Sequence, residues 1–372
     1  MSELLDGLVH PIVAAPMAGG PSTPRLAAAV SQAGGLGFLG AGYLTADRLA
    51  EDVAETRKLT DAPFGVNVFL PGPAGADPEA VAGYARHLAG EAARRGAKVG
   101  EPLGGDDDYP AKIELLHRDP VAVVSFAFGL PDPAVVRGLQ SRGSEVWVTL
   151  TRPDEALAAT ALGVDAVIAQ GIEAGGHRGG THDTDEYALL PLLRLLAART
   201  GLPLVAAGGV ADGSALAAVL AAGASAAQIG TAFLGCPEAG TSPVYRAVLT
   251  GRARLSAASS ETVVGQGDPA DDGPTRTVLT RAFTGRRARG LANAFIAEHE
   301  EHAVSAYPQL HRLTSPLRAA ARAAGDPDGF NLWAGQSYPL IRELPAAALV
   351  QKLSAEARAA VANAARRLGP RG

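Results

Sequence analysis

The stretch from Asp165 to Gly180, which reads D-A-V-I-A-Q-G-I-E-A-G-G-H-R-G-G, changes character near its middle. Residues 165–169 form an apolar run that is too short for an amphipathic helix, and this run predicts a buried strand. From Gln170 onward an amide, a carboxylate, a histidine and an arginine are spread among five glycines. Glycine lets the backbone approach a ligand closely because it has no Cβ atom. Polar groups at the end of a buried strand predict a binding or catalytic site.

Apolar runs of strand length alternate with helical patterns through the first 235 residues. The predicted strands are 12–16, 35–39, 64–69, 121–128, 145–150, 165–169, 204–207 and 226–229. The predicted helices are 26–33, 46–59, 79–95, 133–141, 154–162, 187–199 and 214–222. Strands that alternate with helices form a parallel sheet, and eight such pairs close into a barrel of roughly 250 residues. The sequence therefore predicts an α/β protein with a (β/α)8 TIM barrel.

The chain of 372 residues is longer than one barrel needs, so additional segments are expected. A break rich in proline and glycine follows the third predicted strand, and a long stretch with an acidic turn at 106–109 comes next. This pattern predicts an insertion at about residues 73–118. Residues 1–235 are predicted to form the barrel, and residues 236–372 a smaller C-terminal region that completes the substrate pocket.

Composition and charge exclude several classes of protein. Hydrophobic residues make up 47% and charged residues 19% of the chain, which is typical of a globular protein. The net charge of -5 provides no basic surface, so neither nucleic acid nor a membrane is predicted as a partner. The single cysteine, Cys236, excludes an internal disulfide and a thiolate-rich metal site. The acidic start of the chain and the lack of a long apolar run predict a cytoplasmic protein.

Two loops that contain glycine follow the seventh and eighth predicted strands, where barrels of this class often bind phosphate. The first loop contains Gly208 and Gly209, and the second is Gln228-Ile229-Gly230-Thr231. Backbone N–H groups and a hydroxyl near helix N-termini suit an anion. Close packing of a helix against a strand is the alternative explanation for these glycines.

Further polar residues extend this predicted site. Asn67 and Gln170 end the third and sixth strands, where they are placed to hydrogen-bond the polar edge of a planar cofactor. Gly175 and Gly176 would place backbone N–H donors beside the following histidine, and Met17 would provide an apolar floor. Together with the phosphate-binding loops, these residues predict FMN as the cofactor.

His177 is the candidate catalytic residue. A lone histidine after a strand is more often a loop residue with satisfied hydrogen bonds, but here amide and backbone donors converge on it. A neutral imidazole can remove a proton, and a charged one can pair with an anion. No metal site is predicted, because the histidines of His299-Glu300-Glu301-His302 are three residues apart and a metalloprotease helix needs four.

Five motifs together resemble the FMN-dependent nitronate monooxygenases, formerly called 2-nitropropane dioxygenases. They are Pro16-Met17 with Gly19-Gly20, Gly65-Val66-Asn67-Val68-Phe69, the stretch from Gln170 to Gly179, Gly208-Gly209-Val210 and Gln228-Ile229-Gly230-Thr231. Two further stretches, 281–290 and 332–336, are similar to the class I enzymes of that family. The chain departs from the common pattern at Ser337-Tyr338, which bears on pocket size and substrate preference.

The resemblance implies an enzyme that oxidises alkyl nitronates, such as propionate 3-nitronate, with molecular oxygen to carbonyl compounds plus nitrite or nitrate. It implies that His177 is the active-site histidine. The residues implied to bind FMN are Asn67, Gln170, Gly175, Gly209 and 228–231. Residues matched loosely to the class I substrate pocket, where a phenol or an ammonium group suits an oxyanion, are Tyr109, Lys112 and Tyr307.

Two other functions remain open at this point. An FMN-dependent NAD(P)H oxidoreductase of quinones or enoyl thioesters would use the same flavin but would need room for a nicotinamide. A barrel that binds a phosphorylated ligand without chemistry would need no catalytic histidine. The expected partners are a small nitronate and molecular oxygen, and the chain is expected to be a monomer or a homodimer.

Overall fold

One parallel sheet forms the centre of the structure, a computed structural model that describes residues 2–72, 76–255 and 276–369. The described strands are β1 (Ile12–Ala14), β2 (Gly37–Gly40), β3 (Phe64–Phe69), β4 (Val123–Ala127), β5 (Glu145–Leu150), β6 (Ala166–Gln170), β7 (Gly176–His177), β8 (Leu204–Ala207), β9 (Ala226–Ile229), β10 (Thr277–Thr280) and β11 (Ala288–Leu291). Eight of them form the parallel sheet, in the order β1-β9-β8-β6-β5-β4-β3-β2. Backbone hydrogen bonds between Leu36 and both Ile12 and Ala14 join its two ends. The predicted (β/α)8 barrel is confirmed.

Helices cover the outside of the barrel. The described α-helices are α1 (Glu3–Asp6), α2 (Pro24–Gln32), α3 (Ala46–Leu59), α4 (Pro78–His87), α5 (Ala89–Arg94), α6 (Tyr109–Arg118), α7 (Pro133–Gln140), α8 (Glu155–Leu162), α9 (Leu189–Ala197), α10 (Gly213–Ala221), α11 (Pro243–Leu249), α12 (Ala294–His299), α13 (Gln309–Ala323) and α14 (Ala346–Leu368). Thr23 caps α2 by accepting the N–H of Leu26, and Pro24 takes the first helical position. None of the helices in the described ranges is long and apolar enough to cross a membrane.

Most predicted elements are present, and several match at both ends. The exact matches are the strands 64–69, 145–150, 204–207 and 226–229 and the helix 46–59. The prediction of a single helix over 79–95 is wrong, because the chain turns at Leu88 and forms α4 and α5. Leu88 is fully buried, so its packing holds this turn against the rest of the protein.

Large apolar side chains fill the interior of the barrel. Trp147 on β5 and Phe38 on β2 are buried there, and their ring centroids lie 5.9 Å apart. Leu5 on α1 packs in the same cluster. Neighbouring strand residues such as Val146 and Leu39 pack instead in the core under the helices, because successive side chains of a strand point to opposite sides. The packed interior leaves the carboxyl ends of the strands as the expected place for a ligand.

The last described helix, α14, belongs to the barrel. It packs against α10 and α2, the helices that follow β8 and β1. Its residues Leu349, Val350 and Leu353 are buried in the same core as the other barrel helices. This helix thus lies beyond the predicted barrel boundary at residue 235 but packs with the barrel helices. The barrel needs a helix after β9, and the chain provides it from its C-terminal end.

The last part of the predicted insertion at about 73–118 also packs with the barrel helices. Helix α6 packs beside α3 and α7, in the position of the helix that follows β3 in the barrel. The inserted segment therefore ends before Tyr109. Within that segment, Tyr84 and Leu88 share a second buried cluster with Phe283 and Leu310. This cluster joins the insertion to the region after the barrel strands.

A small antiparallel sheet lies beside the barrel, with its strands in the order β10-β11-β7. His177 on β7 pairs with Ala288 on β11. The sheet therefore holds the polar stretch after β6 against the C-terminal part of the chain.

Candidate active site

A cavity of about 640 Å³ opens at the carboxyl ends of the barrel strands. The residues predicted to bind the cofactor line it together with His177, except Ile229, which is buried in the core. These are Met17, Asn67, Gln170, Gly175, Gly176, Gly208, Gly209, Gln228, Gly230 and Thr231. The fold therefore brings these residues to one place, while their roles as ligands stay a prediction.

The loops after β8 and β9 present a group of backbone donors to the cavity. Gly208 and Gly209 have φ angles of 116° and 70°, in the region that favours glycine. Across the described residues, no acceptor is found for the backbone N–H groups of Gly209, Gly230 and Thr231. Thr231 Oγ1 accepts the N–H of Gly335 at 3.0 Å, which leaves its own O–H for another partner. Three N–H groups and one hydroxyl form a cradle suited to phosphate.

Two side-chain amides of the cavity wall also have an oxygen atom that can accept a hydrogen bond from a ligand. Gln228 Oε1 is buried, and within the described ranges it has no hydrogen-bond partner. Asn67 Nδ2 donates to the carbonyl and the hydroxyl of Ser125 at 3.2 and 2.9 Å, which leaves Asn67 Oδ1 as an acceptor. A buried polar atom without a partner is destabilising. Both amides therefore suit a ligand with a polar edge.

Gln170 organises the segment that carries His177. Its Nε2 donates to the carbonyl of His177 at 3.0 Å, and its Oε1 accepts the N–H of Gly179 at 2.8 Å. The buried Arg178 donates to the carbonyl of Gly171 at 2.7 Å. These bonds fold the loop back onto the end of β6 and fix the position of His177.

His177 has one ring nitrogen engaged by the protein. Its Nε2 lies 3.0 Å from Oγ1 of Thr284, and no hydrogen bond to Nδ1 is found in the described parts of the chain. Aromatic rings surround the imidazole. Phe128, Tyr307 and Trp333 have ring centroids 5.8, 5.8 and 5.6 Å from that of His177. This arrangement leaves the imidazole half-buried at the cavity, with Nδ1 available to a ligand.

The electrostatic environment keeps His177 neutral. Burial, together with the positive charges of Arg286 and Arg318, lowers the pKa of His177 to about 3. A neutral imidazole has one nitrogen with a free lone pair. At physiological pH the site therefore provides a base rather than a cation.

One polar helix face at the cavity is absent from the sequence-based predictions. It belongs to α13 and consists of His311, Ser315, Arg318 and Arg322. Their spacing of four, three and four residues places them on one side of a helix, so the signal was present in the sequence. Thr284 also lines the cavity, and it lies inside the stretch 281–290 that resembles class I enzymes.

Three residues predicted for the substrate pocket do not line this cavity. Lys112 is fully buried and pairs with Asp107 at 2.8 Å, and Tyr109 packs against the main core. The structure does not support a substrate role for these two, because α6 directs them into the protein. Tyr307 lies beside His177 and lines a smaller recess near Asp107.

Comparisons with known proteins match nearly the whole chain, and they point to one family. Residues 2–356 match the protein family described as nitronate monooxygenase. A nitronate monooxygenase from Paraburkholderia phytofirmans is 41% identical over 365 residues, which cover 95% of this chain and 93% of that protein. One from Pseudomonas aeruginosa is 41% identical over 366 residues, which cover 95% and 98%.

A solved structure shows the same similarity in three dimensions. The structure, described as nitroalkane oxidase from Streptomyces ansochromogenes, has 49% sequence identity and a TM-score of 0.88, with 97% of this chain and 99% of that chain covered. The resemblance carried by a few motifs thus extends through the barrel and the C-terminal region. The chain belongs to the nitronate monooxygenase family, a family of oxidoreductase enzymes.

Proposed function

We propose that this protein oxidises alkyl nitronates with molecular oxygen and that FMN is its cofactor. The products would be a carbonyl compound plus nitrite or nitrate. One observation carries the proposal: a single cavity contains both a cradle of unpaired backbone N–H groups and the neutral His177. Because the chain belongs to an enzyme family, the alternative of a barrel that only binds a ligand is not supported.

The donors and acceptors of the cavity fit FMN. The N–H groups of Gly209 and Gly230 and the hydroxyl of Thr231 would hold the phosphate. The free amide atoms of Asn67 and Gln228 would hydrogen-bond the polar edge of the ring system. When bound, FMN accepts electrons from the substrate and delivers them to oxygen.

His177 would act on the substrate through Nδ1. With a neutral nitroalkane, the Nδ1 lone pair would accept the proton from the carbon next to the nitro group. The relative described as a nitroalkane oxidase favours including such substrates. With a preformed nitronate no proton is removed, and the nearby positive charges of Arg286 and Arg318 suit the anion.

The visible spectrum of the purified protein tests this proposal. We expect a yellow protein whose flavin absorbance bleaches on anaerobic mixing with propionate 3-nitronate, followed by nitrite release when oxygen is admitted. An FMN-dependent NAD(P)H oxidoreductase would instead be bleached by NADH or NADPH and not by the nitronate. That outcome would refute the reaction, and a colourless protein that cannot be reconstituted with FMN would refute the cofactor.

A further inference from the structure

His299, at the end of α12, is a buried histidine with one ring nitrogen left over. Only 3% of its surface is exposed, and Nε2 has no hydrogen-bond partner in the described parts of the chain. Its other ring nitrogen, Nδ1, lies 3.0 Å from Nε2 of His87. The rings of His87 and Phe295 pack edge-on against the imidazole, with centroids 5.1 and 4.4 Å away. This packing fixes the direction of Nε2, and a buried polar atom without a partner is destabilising.

Two carboxylates lie on the side to which this nitrogen points. Oε2 of Glu91 and Oε2 of Glu298 are each 4.0 Å from Nε2 of His299. That distance is too long for a hydrogen bond. The nitrogen and the two oxygens lie within 4.8 Å of one another. Glu91 is buried on α5 of the insertion, whereas Glu298 is half-exposed on α12. Three atoms of the kind that bind metal ions therefore converge between the two helices.

Arg94 shows that the space between the carboxylates accepts a cation. Its guanidinium donates to Oε2 of both Glu91 and Glu298. The side chain of Arg94 is exposed, so it can turn out into solvent. An exposed ion pair contributes little to stability, and a bound metal ion can therefore displace this arginine.

The charges around the group favour a divalent ion. Arg95 donates to Oε1 of Glu91 and pairs with Asp326 at 2.8 Å. Without Arg94, the three carboxylates of Glu91, Glu298 and Asp326 face the single guanidinium of Arg95. A divalent cation would balance the remaining excess of negative charge.

We propose that Glu91, Glu298 and His299 bind a divalent transition-metal ion, with zinc as the best match, and that this ion joins the insertion to the C-terminal region. One imidazole and two carboxylates are a ligand set that suits zinc, and a water molecule would complete four-coordination. His87 would accept the Nδ1 proton of His299, as the partners of metal-bound histidines do. None of the three ligands lines the active-site cavity, so the ion would have a structural role.

The two helices that provide the ligands are far apart in the chain. The sequence-based expectation of no metal site considered two histidines along one helix, His299 and His302, and only the first of them belongs to the group. Zinc bonds of roughly 2.0–2.2 Å require the ligand atoms to move closer together. The half-exposed Glu298 has the freedom to make most of this movement.

Calorimetric titration with zinc chloride measures the affinity. The sample is the purified full chain, treated with EDTA and dialysed, with any bound cofactor retained. We expect one zinc ion per chain, bound about 10- to 100-fold more weakly by Glu298→Gln and by His299→Gln. Glu301→Gln and His182→Gln remove an exposed carboxylate and an exposed histidine outside the group, and both should bind zinc as the wild type does. Glu298→Gln decides the test if His299→Gln does not fold.

Replacement of Arg94 by alanine should change the affinity in the opposite direction. Because the variant lacks the competing cation, we expect it to bind zinc about 2- to 5-fold more tightly than the wild type. Arg86→Ala removes an exposed arginine of α4 that pairs with Glu79, and it should leave the affinity unchanged. A weaker affinity in Arg94→Ala would contradict the position of the ion between the two carboxylates.

Anomalous X-ray scattering at the zinc edge shows where the ion lies. We expect one strong peak in crystals of the wild-type protein, roughly 2.0–2.2 Å from Nε2 of His299 and from one oxygen of each glutamate. A peak elsewhere, or equal affinities of the wild type and Glu298→Gln, would mean an adventitious ion only and would overturn the proposal. No zinc binding at all would also overturn it. These measurements involve no turnover, so their outcome is independent of the reaction proposed above.

Discussion

Nε2 of His177 lies 3.0 Å from Oγ1 of Thr284, and this contact selects the tautomer of the histidine. The Thr284 hydroxyl donates to the carbonyl of Arg286 at 3.1 Å, so its oxygen remains to accept a proton from His177. Nε2 is then the protonated nitrogen and Nδ1 carries the lone pair. Thr284, 107 positions away in the chain, thereby leaves Nδ1 of His177 as the nitrogen that can accept a proton.

Replacement of Thr284 by valine removes the hydroxyl with little change in shape. We expect kcat with a neutral nitroalkane to fall about 10-fold, because the imidazole loses the bond that fixes its tautomer and orientation. Turnover of a preformed nitronate should fall less, since no proton is removed. Thr284→Ser keeps the hydroxyl and should behave as the wild type. Equal losses with both substrates would show that Thr284 acts on overall structure instead.

Replacement of His177 by asparagine tests the catalytic role directly. We expect the variant to retain FMN but to lose about 100-fold or more in turnover of a neutral nitroalkane, because the asparagine amide cannot accept the proton as the imidazole does. The flavin-to-protein absorbance ratio and the rate of nitrite release are the two measurements. A variant as active as the wild type would reject a catalytic role for His177.

Replacement of Gly209 by valine should cause loss of the flavin. The Cβ of the new side chain would lie 3.4 Å from Cβ of Glu173 and 3.9 Å from Oγ of Ser337, next to the N–H groups that we assign to the phosphate, and φ at this position is 70°. Gly163→Val is the matched control, because Gly163 has a φ of 74° and no atom lies within 4 Å of its would-be Cβ. Both variants carry the same backbone strain. A fully flavinated Gly209→Val protein would contradict the assignment of the cradle.

Acid should destabilise the protein through its buried histidines. Burial lowers the pKa of His299 to about 4, whereas an unfolded histidine titrates near 6.5. Between these two values the unfolded state binds a proton that the folded state excludes, so stability falls as the pH is lowered. We expect the free energy of unfolding of the wild type to decline more steeply below pH 6.5 than that of His299→Gln, by about 1 kcal/mol per pH unit. Urea unfolding at several pH values measures the difference, and parallel declines would contradict it.

The C-terminal helix α14 should contribute to the stability of the barrel. Leu353 is fully buried in the main core, and its replacement by alanine should lower the free energy of unfolding by about 2–5 kcal/mol. Val361 lies on the same helix with 55% of its surface exposed, and Val361→Ala should change stability by less than about 0.5 kcal/mol. Denaturant unfolding compares the two variants. Similar small effects would show that α14 does not support the barrel.

The glycine-containing loops after β8 and β9 and the strand before His177 illustrate what local patterns can predict. Short apolar runs such as 145–150 and 204–207 are recognisable because a buried parallel strand needs apolar side chains on both faces. Gly208 and Gly209 are recognisable because backbone with positive φ favours glycine. The order of strands and helices then leads to the barrel, whose strand ends bring distant polar residues together. These features depend on short segments of chain, so the sequence alone was sufficient to predict them.

Contacts between distant segments could be decided only by the tertiary structure. The local sequence around Thr284 does not show that this residue contacts His177, and the sequence around Arg318 does not show that it lines the cavity. Both contacts depend on how the C-terminal region packs over the barrel. The same holds for α14, because its amphipathic pattern does not indicate which helices it packs against. Lys112 is the opposite case: its residue type suits an oxyanion, but the direction of α6 buries it against Asp107. Residue types and periodicity depend on local chemistry, whereas the partner of each side chain is set by packing across the whole fold.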